Sequence, residues 1–227
     1  AGHSGQPGIR EAGKAEVTFT QYGTRNTSCV FRISNSVSVD SDLSTLRAFL
    51  KDFEQYLKSD VAFWTVGSDI PALTIGGLLF IRRTLSARRT QLSPAQSVEF
   101  DQLESQADVL FQRWPVNIEK KVVREISSRL NVWASAIEEG IDHPTLFADN
   151  YPHSVNNRVY LSLLLPLVAN LSEADPHRRR LSILDARLRG ILAVGDFIWD
   201  AALAPAFPAD EFWFLYGRPK KPQAHPK

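Results

Sequence analysis

The chain contains no methionine and a single cysteine, Cys29. A lone cysteine excludes an internal disulfide and a cysteine-based zinc site. It also fits a reducing setting, so a cytoplasmic or other reducing intracellular compartment is the expectation. The chain opens on Ala1 rather than methionine, which reads as a processed or trimmed start. An excess of either charge is missing too. The 26 Lys and Arg residues face 25 Asp and Glu, for a net charge of +1. No global field then draws the protein toward nucleic acid or an acidic membrane, and any basic site must be a local patch. Long apolar runs are also absent. Residues 72–81 and 159–169 are the longest nearly uncharged stretches, and Pro166 interrupts the second. Both fall short of the roughly 18–20 residues that a membrane-spanning helix needs. The first residues show neither a hydrophobic signal core nor an arginine-rich amphipathic pattern.

Chemical signatures are sparse. The five histidines, His3, His143, His153, His177 and His225, have no mutual spacing suited to zinc. Gly76 and Gly77 stand as a pair with no lysine after them, so they do not make a phosphate loop, and no G-x-S-x-G nucleophile elbow occurs. Asn26 and Asn170 open glycosylation sequons that no secretion signal supports. No period of 20–50 residues suggests a solenoid. On these grounds no catalytic residue, metal or cofactor is expected.

What remains describes a globular chain. Its 227 residues are 44% hydrophobic and 22% charged, enough to bury a sizeable core. Residues 1–14, rich in glycine and charge, read as a flexible tail. Val17 and Phe19, then Val30, Phe31 and Ile33, flank a Gly/Asn turn and predict a β-hairpin over 15–34. From Asp40 the period becomes helical. Leu43, Leu46, Leu50, Phe53 and Leu57 recur at spacings of three and four, predicting a helix over about 42–58. A second is expected over 71–89, weakened or closely approached at Gly76 and Gly77.

A third, over 94–114, has the strongest start signal: Ser93, then Pro94, then Gln96 as a capping box. Its expected buried stripe is Val98, Leu103, Ala107, Leu110 and Trp114. The fourth, over 116–139, places Ile118, Val122, Ile126, Leu130, Trp133 and Ile137 inward. It gives Lys120, Lys121, Arg124, Glu125, Arg129, Glu138 and Glu139 a solvated face, and Gly140 should close it. A fifth, over 152–170, is broken or kinked at Pro166. It is apolar nearly all round between 161 and 168, which marks it as the most buried. The sixth, over 176–193, starts after Asp175 as cap. The fold class is therefore mainly α: a bundle-like array of about six helices with the N-terminal hairpin and an irregular, aromatic-rich C-terminal arm. A single helical domain over 15–217 is expected, with its helical body over 40–195 and a docked arm over 196–217. Residues 218–227 read as a basic, proline-rich tail.

Three groups of residues could carry function. His153, Asn156, Asn157, Arg158 and Tyr160 occupy the first turns of the fifth helix, where free N–H groups attract anions, as in the site of an enzyme or small-ligand binder with a binding or acid–base role. The alternative is capping and packing of a helix entering the core. Arg82, Arg83, Arg88 and Arg89 close the second helix, where they complement its dipole. Arg178, Arg179 and Arg180 open the sixth, where cations are unfavourable and an acidic partner or phosphate would compensate. Together these arginines make nucleic acid or an acidic partner a candidate ligand. They also place Ser182 in a basophilic kinase pattern, discounted because that serine falls inside a helix. Phe207, Phe212, Trp213, Phe214 and Tyr216 are too apolar to leave in water, so they wrap onto the helical body or dock into a partner. The leading expectation is a non-catalytic protein–protein interaction or scaffold module within a larger assembly, with a protein partner or a homo-oligomer.

Overall fold

The computed structural model describes residues 38–221, and the hairpin expected over 15–34 lies outside them. The described chain is mainly helical. Helix α1, Val39–Lys58, starts where Ser38 accepts a hydrogen bond from the Ser41 amide at 3.1 Å, with Asp40 and Asp42 in its first turn. The chain then folds back, and Trp64 pairs with Leu73 in an isolated antiparallel bridge. That bridge holds Leu73 in extended form. Helix α2, Ile75–Ala87, therefore begins four residues later than expected, with the Thr74 hydroxyl capping the Gly77 amide at 2.9 Å.

Helix α3, Pro94–Arg113, carries the expected capping box, with both reciprocal bonds between Ser93 and Gln96 present. Its buried stripe is Phe100, Leu103, Ala107 and Leu110, and Val98 is 58% exposed. The step from Val98 to Leu103 is five residues, which breaks the helical spacing, while Phe100 keeps it. Pro115 ends α3 and also opens α4, Pro115–Asp142. Helix α4 runs past Gly140, which was expected to close it. A β-carbon there would lie 2.6 Å from the Phe147 ring, so the glycine serves close packing inside the helix.

The expected fifth helix is two helices, and neither starts at Pro152. Helix α5, Pro144–Ser154, includes Pro152 within it. Helix α6, Asn156–Leu164, follows a break at Val155 and runs into a 3-10 turn, Leu165–Val168, at Pro166. Leu161, Leu164 and Val168 are buried, but Pro166 and Leu167 face solvent, so this segment is not buried all round. The hub is α4, which touches α1, α2, α3, α5, α6 and α7. Helix α7, Asp175–Ile191, includes Asp175, whose carboxylate binds Arg178 and leaves the helix end without a side-chain cap.

Beyond α7 the chain is more regular than its composition suggests. Strand β1, Leu192–Phe197, pairs antiparallel with β2, Tyr216–Pro219, through a bulge between Val194 and Phe197. Arg218 and Pro219 therefore belong to a strand, not to a basic tail. A β-carbon on Gly217 would sit 2.3 Å from the Ala193 carbonyl oxygen, so only glycine fits that register. Between the strands, 3-10 turns Ala201–Ala206 and Trp213–Leu215 fold the arm onto the body. Phe207, Phe212, Phe214 and Leu215 join the same buried cluster as the helix stripes. No helix among the described residues is long and apolar enough to cross a membrane.

Candidate functional site

The polar heart of the molecule lies on α4, on the face expected to be solvated. Lys121, Glu125 and Arg129 recur every four residues and so form one stripe beside the apolar one. Glu125 is 0% exposed and Lys121 2%. Burial of an ionised carboxylate is costly unless it is paired and hydrogen-bonded. Glu125 meets both conditions. One oxygen accepts the Gly76 amide at 3.0 Å, in the first turn of α2, where the helix dipole favours an anion. The other lies 3.2–3.3 Å from the Arg129 guanidinium. A β-carbon on Gly76 would come within 2.7 Å of that carboxylate, so the close approach expected of the glycine pair is to a side chain. Arg129 also donates to the Asn157 amide oxygen at 3.2 Å and lies 4.1 Å from the centre of the Tyr160 ring.

Lys121 caps the end of α1. Its ammonium donates to the Ser59 carbonyl at 2.9 Å, the Ser59 hydroxyl at 3.1 Å and the Val61 carbonyl at 2.5 Å, and it lies over the Tyr56 ring. Desolvation, with the nearby Arg124 charge, holds its pKa below the ordinary lysine value. Burial also pushes the phenols of Tyr56, Tyr151 and Tyr160 upward, and the Glu125 charge adds to this at Tyr56 and Tyr160. These phenols stay neutral at physiological pH.

The residues of the expected ligand group between 153 and 160 take up different contacts. His153 is exposed on α5. Asn157 binds Arg129 and the Ser154 carbonyl. Tyr160 packs edge-on against Phe80. Arg158 grips Asp185 of α7 through two 2.8 Å bonds, donates to the Ser162 hydroxyl at 2.7 Å, and lies 4.5 Å from the Phe214 ring centre. Asn156 differs from the rest: it is buried, and neither atom of its amide meets a protein partner.

This segment receives the C-terminal arm. The Tyr151 hydroxyl donates to the Phe214 carbonyl at 2.6 Å, and the Trp199 indole N–H donates to the Pro152 carbonyl at 2.8 Å. The break at Val155 accounts for the second contact, because the last carbonyls of a helix lack intrahelical partners. Phe207, Phe212 and Phe214 are buried, and Trp213 and Tyr216 are half-buried. The arm's aromatics, expected as a possible partner-docking set, are thus packed into their own helical body, where aromatic pairing with Phe80 and Trp199 offsets the ordering cost of an irregular segment.

The two arginine clusters part company. In the first, Arg82 binds Glu104 and Asp108, Arg83 binds Glu211 and the Ala206 carbonyl, Arg88 binds Asp42, and Arg89 binds Asp101. Each is neutralised by a carboxylate of another element, and the Arg88–Asp42 pair is buried. In the second, Arg178 binds Asp175 and the Val168 carbonyl, and Arg180 binds the Asn131 amide oxygen. Arg179 is exposed and makes no contact of this kind among the described residues. Sequence reading missed Lys121, Glu125 and Arg129. The signal available was their strict spacing of four beside the apolar stripe, together with a glycine pair at a helix start.

Among the described residues, no three His, Cys, Asp or Glu side chains gather as a metal-binding set. Comparison of the chain with protein-family models, curated proteins and solved structures finds no match.

Proposed function

We propose that the chain is a non-catalytic protein–protein interaction module that serves as a subunit of a larger assembly. The observation that carries this reading is the use made of the buried charged groups. Glu125 joins α4 to α2, Lys121 joins α4 to the end of α1, Arg129 joins α4 to α6, and Arg158 joins α6 to α7. Each is saturated by structural hydrogen bonds, which suits a body whose work is to hold a surface in place. Free positive charge is left on the outer side of α7 instead. The test is the size of the protein in native extract. A module of this kind elutes well above the 25.4 kDa of the free chain, with a partner in fixed stoichiometry. Elution at the free-chain mass overturns the reading.

A second reading, a small-ligand binder centred on the 150–160 segment, has one observation in its favour. The amide of Asn156 is buried with both polar atoms unpartnered, a condition that costs about 1–3 kcal/mol unless something satisfies it. Thermal shifts against a panel of small polar compounds test it, with Asn156→Leu as the control that should abolish any shift. The nucleic-acid reading narrows to α7, because carboxylates already neutralise Arg82, Arg83, Arg88 and Arg89. Retardation of RNA or DNA at low salt, lost on Arg179→Glu, is its test.

A further inference from the structure

Helix α7 has an inner and an outer face. Leu181, Leu184 and Leu188 are buried, and the opposite side carries Arg179, Ile183 and Arg187 at successive four-residue steps. Ile183 is 57% exposed. Arg179 and Arg187 make no hydrogen bond, ion pair or ring contact among the described residues. The helix has two acids of its own, Asp175 and Asp185, and both are occupied, by Arg178 and Arg158. The outer face therefore carries uncompensated positive charge in a protein whose net charge is only +1. It also exposes an isoleucine between the two arginines, where a purely solvated face would carry a polar residue.

We infer that this face docks an acidic amphipathic helix of a protein partner. The inference rests on the interaction-module reading and names the partner's chemistry. Arg179 and Arg187 are eight residues apart, roughly 12 Å along the axis at about 1.5 Å per residue. Two carboxylates about two turns apart on a partner helix match that spacing, and an apolar side chain between them meets Ile183. Charge complementarity steers the encounter and sets the register, while the isoleucine supplies desolvated contact. Ile183 favours a polypeptide over nucleic acid. A phosphate backbone offers nothing apolar at the centre of the patch, and phosphate contacts would reward a further cation there.

The test uses the full chain and a fluorescein-labelled helical peptide with leucines along one stripe and glutamates flanking it. Anisotropy should show saturable binding that weakens as salt is raised. Arg179→Glu/Arg187→Glu should weaken it on the order of tenfold or more, because like charges then face each other. The neutral Arg179→Gln/Arg187→Gln variant should fall between, and Ile183→Asn should lose several-fold at unchanged salt dependence. Arg124→Glu, on α4, should bind as the unaltered chain does. These are exposed side chains, so circular dichroism should be identical for all variants. Equal binding by the reversed variant overturns the inference. So does absence of binding at low salt, or tighter binding of a single-stranded RNA of matched charge. A native complex that keeps its size in the Arg179→Glu/Arg187→Glu variant overturns this inference while leaving the module reading intact. Loss of any native complex in the unaltered chain overturns that reading itself.

Discussion

Phe207 is the side chain on which docking of the C-terminal arm can be tested most directly. Its ring is fully buried, stacked on Phe80 of α2 at 5.4 Å, and edge-on to Trp199 at 5.5 Å and Phe212 at 5.0 Å. Arg83 reaches from α2 over the same ring cluster, 4.7 Å from the centre of Phe212. Truncation of a buried phenylalanine to alanine costs about 3–5 kcal/mol, depending on how far the site can collapse. This site has little room to do so, because rigid rings surround it and one of them belongs to a helix of the body. Three ring pairs, each contributing about 0.5–1.5 kcal/mol, are lost at once. The upper half of the range is therefore expected, about 4–5 kcal/mol. For a chain of this length that lowers the melting temperature by roughly 8–20 °C, at about 2–4 °C per kcal/mol. Urea unfolding followed by tryptophan fluorescence should show the midpoint falling with an unchanged slope. The Tyr216 hydroxyl bond to the Phe207 carbonyl survives the change, so the loss reports packing alone. Val194→Ala, at a position 94% exposed, is the control and should stay within about 0.5 kcal/mol. A loss below about 1 kcal/mol for Phe207→Ala would refute the docked arm.

Gly76→Ala should destabilise by about 1–3 kcal/mol, because its β-carbon collides with the Glu125 carboxylate and the Tyr160 ring, whereas Gly190→Ala meets open space and should stabilise by roughly 0.5–1 kcal/mol; chemical denaturation of the pair checks both signs. Asp185→Ala leaves the Arg158 guanidinium partly buried without its partner and should cost about 3 kcal/mol, while Arg158→Met/Asp185→Leu should cost distinctly less. Stability should fall at alkaline pH. The phenols of Tyr56, Tyr151 and Tyr160 are held above their ordinary value of 10, so unfolding releases their protons above pH 10 and each removes about 1.4 kcal/mol per pH unit. Lys121, whose pKa is lowered, acts in the opposite sense, but only up to its unfolded value of 10.5. Urea midpoints measured from pH 9 to 11.5 should therefore drop most steeply at the top of that range, and a flat profile would refute the burial of these tyrosines.

Five of the six helical segments expected from the sequence appear as single helices with shifted ends, the fifth is divided between α5 and α6, and the reasons are local. Ser93 and Gln96 close their box within four residues, and the inward stripe of α4 from Ile118 to Ile137 keeps a helical period wherever the helix sits. The shifts came from signals with two meanings. Gly140 resembles a helix stop, yet its missing side chain makes room for Phe147; Pro152 resembles a helix start, yet it lies within α5. Val98 is apolar like the stripe, yet its step of five to Leu103 carries it off that face, and it is exposed. The candidate site was less legible. Four of the five polar residues between 153 and 160 prove to be structural ties or exposed, and the charged stripe of α4 resembled a solvated face.

Composition, helical period and local caps are properties of neighbouring residues, so the sequence by itself determined the helical character and most of the inward-facing stripes, and no helix among the described residues is long and apolar enough to cross a membrane. It could not decide which partner each charged or aromatic group would meet. Glu125 is buried because Gly76, 49 positions earlier, brings a helix amide to it. Pairing decides the arginines in the same way. Arg82, Arg83, Arg88 and Arg89, in α2 and just after it, are neutralised by carboxylates on α1, α3 and the arm, while among the described residues Arg179 and Arg187 meet no such carboxylate. The strands β1 and β2 pair across eighteen intervening residues folded onto α2 and α5. Each of these outcomes depends on contacts between segments remote in the chain. Their energies depend on burial, and burial exists only once the helices have packed.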